Sequence, residues 1–285
     1  MTDYLVYDVF TDTPFAGNPL AIITDATALD GAAMQQIARE FNFSESTFIL
    51  PPEDPPNTAR VRIFTPSAEL PFAGHPTIGT AVALADMGRG PDMVFELGVG
   101  PIPVTASDGS ARFVTQTALT KGAMPTPPEI AACLGLDENA VSTSNHTPQM
   151  ASVGLSFCVA ELRDRAALAR ATPSLAAFQT AADRYSDRAN FGLFCYVRDG
   201  NHIDARMFAP TGGIPEDPAT GSASAALTAY LADLQSAPIT LEISQGVDMG
   251  RPSRILTEAT YADGQVTSVA VAGKARRVME GRLTL

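Results

Sequence analysis

Three side chains in this sequence combine proton-transfer chemistry with a suggestive setting: Glu45, His75 and Asp217. Two of them sit in a repeated element. Arg62-Ile63-Phe64-Thr65-Pro66 is followed by Gly74-His75-Pro76-Thr77-Ile78-Gly79-Thr80-Ala81. Arg206-Met207-Phe208-Ala209-Pro210 is followed by Glu216-Asp217-Pro218-Ala219-Thr220-Gly221-Ser222-Ala223. The R-x-F-x-P parts lie 144 residues apart and the P-x-x-G-[ST]-A parts 142 apart. That spacing implies two related halves, each of ordinary domain size. The slots before Pro76 and Pro218 hold His75 and Asp217. Two titratable groups facing each other across a cleft between the halves would form an acid/base site that needs no cofactor.

Each candidate has more than one reading. Histidine is a poor N-cap, and a helix N-terminus favours the neutral ring, which can accept or donate a proton near pH 7. Asp217 reads either as an ordinary N-cap before proline or as a second titratable group. Glu45 lies in Asn42-Phe43-Ser44-Glu45-Ser46-Thr47-Phe48-Ile49, between a helix and a strand. Its carboxylate is either exposed and idle, or partly desolvated with a raised pKa and able to shuttle protons.

Two helices must position these groups. Pro76–Ala85 and Pro218–Ala232 contain no charged residue and consist mainly of Ala, Gly, Ser, Thr and Leu. Both place proline at the favoured first helical position. A helix that is small or apolar all round is buried, so each is expected at the centre of its half, wrapped by mostly antiparallel sheet. A buried helix start leaves unpaired N–H groups and partial positive charge. Gly74 and Gly221 would let a carboxylate approach that backbone. Gly17-Asn18-Pro19 reads as a turn at the site's edge.

The surrounding texture is strands. They are expected at Tyr4–Phe10, Leu20–Thr24, Ala59–Phe64, Met93–Leu97, Ile102–Ala106 and Arg112–Thr117 in the first half. The second half repeats the texture at Phe157–Leu162, Phe191–Arg198, Ile203–Phe208, Ile239–Ser244, Arg254–Tyr261 and Gln265–Ala272, with Lys274–Leu285 as a closing strand. Asp108-Gly109 and Asp263-Gly264 are hairpin turns. Asp30 caps a helix over Gly31–Phe41, with Met34, Ile37, Ala38 and Phe41 on one face. Further helices are expected near Glu129–Leu134, Arg163–Arg170 and Ser174–Ala182. Pro125-Thr126-Pro127-Pro128 reads as the linker, which gives domains over 1–122, joined by a strand at 275–285, and 123–274.

Composition narrows the partners. With 285 residues and 45% hydrophobic content the chain can bury one or two cores. A net charge of −12 disfavours nucleic acid and anionic membranes. No run of eighteen apolar residues and no leader-like start occur, so a cytoplasmic protein is expected. Cys133, Cys158 and Cys195 form no C-x-x-C pair and read as reduced, buried thiols. His75, His146 and His202 have no partner at metal-ligand spacing, so no metal is expected. Gly98-Val99-Gly100-Pro101 lacks phosphate-loop spacing. Ser244-Gln245-Gly246-Val247-Asp248-Met249-Gly250-Arg251-Pro252 reads as a loop, or as one whose Arg251 helps hold an anion.

Taken together, these segments resemble the PhzF family of phenazine-biosynthesis isomerases and their relatives. The resemblance rests on Tyr7-Asp8-Val9-Phe10 through Gly17-Asn18-Pro19, Ser44-Glu45-Ser46, Glu69 through Ala81, Gly213 through Ala223, and Gln245 through Pro252. It implies an α+β, diaminopimelate epimerase-like fold of two pseudo-symmetric barrel-like halves, each with a central helix, and the site between them. It further implies a homodimer, no cofactor and a small carboxylate substrate. Glu45 matches the family's proton-shuttling glutamate. His75, Asp217 and Ser222 match its supporting residues, and Gly74 and Gly221 its carboxylate-binding glycines. Asn18 and Thr220, within the same motifs, are expected at the substrate. The two-thiol mechanism of diaminopimelate epimerases and proline racemases is excluded, because no cysteine stands at either helix start. The expected activity is isomerisation of a small carboxylic acid. Two alternatives stay open: a two-base epimerase using His75 and Asp217, and a non-catalytic carboxylate binder.

Overall fold

The structure, a computed structural model, describes residues 2–185 and 191–284. The chain divides into two units, 1–114 with 270–285, and 115–269. The expected division at 122/123 and 274/275 is therefore displaced. The proline-rich stretch is also not a linker. Pro127 and Pro128 open a helix, where their missing N–H groups cost nothing, and the Thr126 N–H donates to the Glu129 carboxylate at 2.8 Å.

The first unit begins with antiparallel β1 (Thr2–Val9) and β2 (Asn18–Ile23). Asp30 then caps α1 (Gly31–Phe41), accepting from the Ala33 N–H at 2.8 Å. Met34, Ile37 and Ala38 of α1 pack with Ile23, Phe48 and Phe64. β3 (Glu45–Leu50) returns parallel to β2, with Leu20 opposite Glu45. The expected strands had left this one without bounds. β4 (Ala59–Phe64) pairs antiparallel with β3 and with the short β5 (Glu69–Leu70). After α2 (Gly74–Asp86), β6 (Asp92–Leu97) lies parallel to β4 and continues antiparallel into β7 (Gly100–Ser107) and β8 (Ser110–Thr115). Asp108 and Gly109, both at positive φ, make the expected two-residue turn.

The second unit repeats these connections. β9 (Thr120–Lys121) pairs with β10 (Gln149–Ser152), which follows α3 (Pro127–Leu134) and pairs antiparallel with β11 (Ser156–Glu161). α4 (Arg165–Arg170) and α5 (Leu175–Tyr185) precede β12 (Leu193–Asp199), which is parallel to β11 as β3 is to β2. β13 (His202–Ala209) pairs with β12 and with β14 (Ile214–Asp217), as β4 does with β3 and β5. After α6 (Gly221–Gln235), β15 (Ile239–Gln245) lies parallel to β13 and continues into β16 (Ser253–Ala262) and β17 (Gln265–Leu283). The expected strands Gln265–Ala272 and Lys274–Leu285 are this one strand. Its later part pairs with both β8 and β1, which closes the first unit into a barrel.

Both all-small helices are buried as expected. α2 is buried from Gly74 to Leu84 and packs on β1, β2, β3 and β7. α6 packs on β10, β11, β15 and β16. Gly79 allows the close approach, since a Cβ there would lie 2.6 Å from Leu20 Cδ2 and 2.7 Å from Val9 Cγ2. Buried hydroxyls of these helices are paired inside: Thr80 with Thr47 at 3.0 Å, and Thr228 with Thr257 at 2.7 Å. Each buried aliphatic of α2, such as Ile78 or Val82, contributes about 1.5–3 kcal/mol. The core therefore fixes the helices and, with them, their N-termini.

Candidate active site

In the first unit the site grows from three segments at one end of the sheet. β2 starts with Asn18, fully buried and paired with Val9. β3 starts with Glu45, whose side chain is 13% exposed. α2 starts at Gly74 with His75 second and Pro76 third, after an extended N-cap residue, Ala73, that offers no capping side chain. His75 Nδ1 lies 3.2 Å from Glu45 Oε2. The ring is 4% exposed, and burial pushes its pKa down to about 3, against an opposing bond from the Pro19 carbonyl. The imidazole is therefore neutral. A hydrogen bond across this contact takes one of two forms: Nδ1–H donates to a carboxylate, or a carboxylic acid donates to Nδ1. Among the described residues, nothing hydrogen-bonds His75 Nε2.

In the second unit Thr220 is the N-cap residue of α6, Gly221 the first helical residue and half-buried Ser222 the second. The Thr220 side chain does not cap the helix. Its hydroxyl donates to Asp217 Oδ2 at 2.5 Å. Asp217 itself ends β14, opposite Met207, and is 5% exposed. Fully buried Gln245 clamps this turn, donating to the Asp217 carbonyl at 2.7 Å and the Thr220 hydroxyl at 3.0 Å and accepting the Thr220 N–H at 3.0 Å. Ser253 Oγ donates to the Pro218 carbonyl at 2.8 Å.

These positions correct two expectations. Neither proline is the first helical residue: Pro76 is third in α2, and Pro218 precedes α6 altogether. Asp217 is consequently not an N-cap. The helix starts match Gly74 with Gly221 and His75 with Ser222, not His75 with Asp217. The alignment on Pro76 and Pro218 is out of register because three residues lie between each helix and the strand before it, β5 or β14, so that Pro218 corresponds to Pro71 and not to Pro76.

The repeated R-x-F-x-P element proves to be a device for holding each helix start. Arg62 reaches Glu69 through Nε and Nη2, both at 2.7 Å, and lies over Phe64 at 5.1 Å. Arg206 reaches Glu216 through Nε at 2.7 Å and Nη2 at 2.8 Å, and lies over Phe208 at 4.8 Å. Its Nη1 also donates to the carbonyls of Leu168, Ala169 and Ala171. Sequence reading had both glutamates and Gln245 inside its motifs but gave none of them a role. An acid shortly ahead of each helix motif was the available signal. Arg251, considered as an anion contact, stands in the loop after β15, its N–H bonded to the Gly246 carbonyl at 3.0 Å. Among the described residues, no group of three or more His, Cys, Asp and Glu could hold a metal. No helix among them is long and apolar enough to cross a membrane.

Comparison with known proteins gives this arrangement its context. The family model "Phenazine biosynthesis-like protein" matches residues 7–281. An uncharacterized isomerase of Mesorhizobium japonicum is 40% identical, over 99% of this chain and 98% of its own length. The trans-2,3-dihydro-3-hydroxyanthranilate isomerase of Pseudomonas aeruginosa is 36% identical over the whole of both chains. Among solved structures, a PhzF-family phenazine biosynthesis protein of Bacillus anthracis is 25% identical with a TM-score of 0.86, covering 100% of this chain and 99% of that one. A hydroxyproline epimerase of Agrobacterium vitis, 12% identical with a TM-score of 0.64 over 98% of this chain and 91% of its own, shares the fold alone. The fold is thus the α+β, diaminopimelate epimerase-like type, and the chain belongs to the phenazine biosynthesis-like (PhzF) family of isomerases.

Proposed function

We propose that the protein is a cofactor-independent isomerase that moves a proton within a small carboxylic acid, with Glu45 as the acid/base. The observation that carries this reading is the 3.2 Å contact between Glu45 Oε2 and neutral His75 Nδ1 at the buried start of α2. A carboxyl group in contact with a neutral imidazole can take a proton from carbon and return it elsewhere on the same face of the substrate. The N–H groups at Gly74 and Gly221, on helix starts that no N-cap side chain satisfies, suit the substrate carboxylate and the charge that develops during transfer. Asn18 beside the α2 start, and Thr220 and Ser222 at the α6 start, are the further substrate contacts in this reading. Asp217, held by Thr220 and Gln245, then positions the α6 turn. A two-base epimerase has less support, because the Asp217 carboxylate accepts the Thr220 hydroxyl and lies outside the register of the helix starts.

The first compound to test is trans-2,3-dihydro-3-hydroxyanthranilate, for which the 36% identical relative is named. Proton NMR in deuterated water should show isomerisation, with deuterium at the new position in proportion to exchange of the Glu45 carboxyl with solvent between removal and return of the proton. Glu45→Gln should keep the fold and lower turnover by about 10²–10⁴-fold. Near-normal turnover by that variant removes Glu45 from the mechanism. Inversion with exchange at a stereocentre favours the two-base reading. A folded wild-type protein that leaves the compound unchanged rejects this substrate, and the same deuterium assay then runs over other small unsaturated and amino carboxylic acids.

A further inference from the structure

The loop 10–17, which joins β1 to β2, lies at the sheet end that carries the Glu45–His75 pair. Val9 and Asn18 face each other at that end of β1 and β2, Leu20 lies opposite Glu45, and the Pro19 carbonyl reaches His75. The loop is held throughout. The Phe15 N–H donates to Asp8 Oδ2 at 2.6 Å, and Asp8 is 2% exposed. The Thr13 N–H donates to Thr11 Oγ1 at 3.0 Å, and Lys274 Nζ donates to Asp12 Oδ2 at 2.8 Å. Gly17, at φ +65°, has no room for a Cβ, which would meet the Val9 carbonyl oxygen at 2.3 Å.

Within this held loop Phe15 adopts φ 68° and is 66% exposed. Positive φ is strained for a bulky side chain, where Gly or Asn fits better. An aromatic ring left mostly in water gains little from folding. Neither backbone preference nor core packing accounts for phenylalanine at this position, and backbone strain held in place by its surroundings gathers at functional sites. We propose that Phe15 is a specificity-determining contact, forming an apolar rim against which the unsaturated carbon skeleton of the substrate packs. The inference rests on the function proposed above, with the carboxylate held by the helix N–H groups and the skeleton by Phe15.

Calorimetric titration with 3-hydroxyanthranilate, an aromatic acid with the same ring substituents as the dihydro substrate, tests the idea. Phe15→Ala and Phe15→Gly should weaken binding about tenfold, the scale of one aromatic contact, while Phe15→Leu retains most of the affinity. Phe15→Gly should melt no lower than the wild type, because glycine accepts the positive φ, and this separates a lost contact from a lost fold. In turnover the loss should appear in KM with kcat nearly unchanged. Unaltered affinity in Phe15→Gly, with normal wild-type binding, overturns this inference alone. Unaltered affinity together with a smaller oligomer in light scattering overturns it in favour of a contact between copies of the chain. A wild-type protein that does not bind the probe overturns the inference along with the substrate class beneath it.

Discussion

His75 illustrates how burial, more than sequence, sets a side chain's chemistry. In the folded protein its pKa is pushed down to about 3, from 6.5 for an unburied ring. Above pH 6.5 the ring is neutral in both folded and unfolded chains. Below that value the unfolded chain takes up a proton that the native site refuses, so stability falls as pH drops from 6.5 toward 3. The expected slope from this one group approaches about 1.4 kcal/mol per pH unit. Urea unfolding at pH 7 and 4.5 should show a smaller acid loss in His75→Asn than in the wild type. Equal losses would mean that the native ring protonates. The same burial keeps the ring neutral above about pH 3, so no kinetic pKa near neutrality should belong to it.

At the scale of elements, the two Arg–Glu forks are alike in geometry and differ in surroundings. Arg206 and Glu216 have side chains 10% and 16% exposed, against 22% and 43% for Arg62 and Glu69. Removing one partner of the enclosed pair strands a charge and should cost about 3–5 kcal/mol. The more open pair should cost about 1 kcal/mol or less. Double-mutant cycles by urea unfolding check this, and comparable coupling in the two forks would defeat the argument from burial. The loop after β15 gives a second case. Gly246 is at φ +74°, and a Cβ there would lie 2.4 Å from the Arg251 carbonyl oxygen and 2.6 Å from that of Pro218. Both contacts are backbone, so side-chain movement cannot relieve them. Gly246→Ala should destabilise by about 1–3 kcal/mol and, by shifting the Asp217–Thr220 turn, lower turnover as well. Native stability in this variant would show that the loop is freer than its contacts imply.

For the whole molecule, the decisive strand is β17. It begins as the partner of β16 and ends as the partner of β8 and β1, so the last residues of the chain close the barrel built by the first. A chain ending at Lys274 would lose every β1 pairing from Val9↔Ala275 to Thr2↔Leu283. Hydrogen exchange should then show β1 amides losing protection while β12 and β13 keep theirs. Retained protection in β1 would mean that closure is not what orders it.

Much of this was legible in the sequence because it is local. The charge-free helices declare their burial, Asp108-Gly109 declares its turn, and Asp30 declares the start of α1. The motifs around Glu45, His75 and Thr220-Gly221-Ser222 suffice to assign the family. What the sequence left open depends on pairings between distant residues. Gln245 reaches back to hold the turn at Thr220, and the ends of β5 and β14 set where the two helices begin, so Pro218 answers to Pro71 and counting from Pro76 matched His75 with Asp217 instead of Ser222. The run through Pro125 to Pro128 has the composition of a linker, and only the Glu129 carboxylate closing on Thr126 makes it a helix start. Two adjacent strand signals became the single β17 because β16, β8 and β1 all offer it partners. Glu45 could not be judged from its neighbours, since its environment is supplied by a helix start some thirty residues away. Composition and periodicity thus determined which elements form. The tertiary structure decided where they begin and which proton-transfer groups meet, because those outcomes depend on hydrogen bonds and desolvation that no local stretch of chain contains.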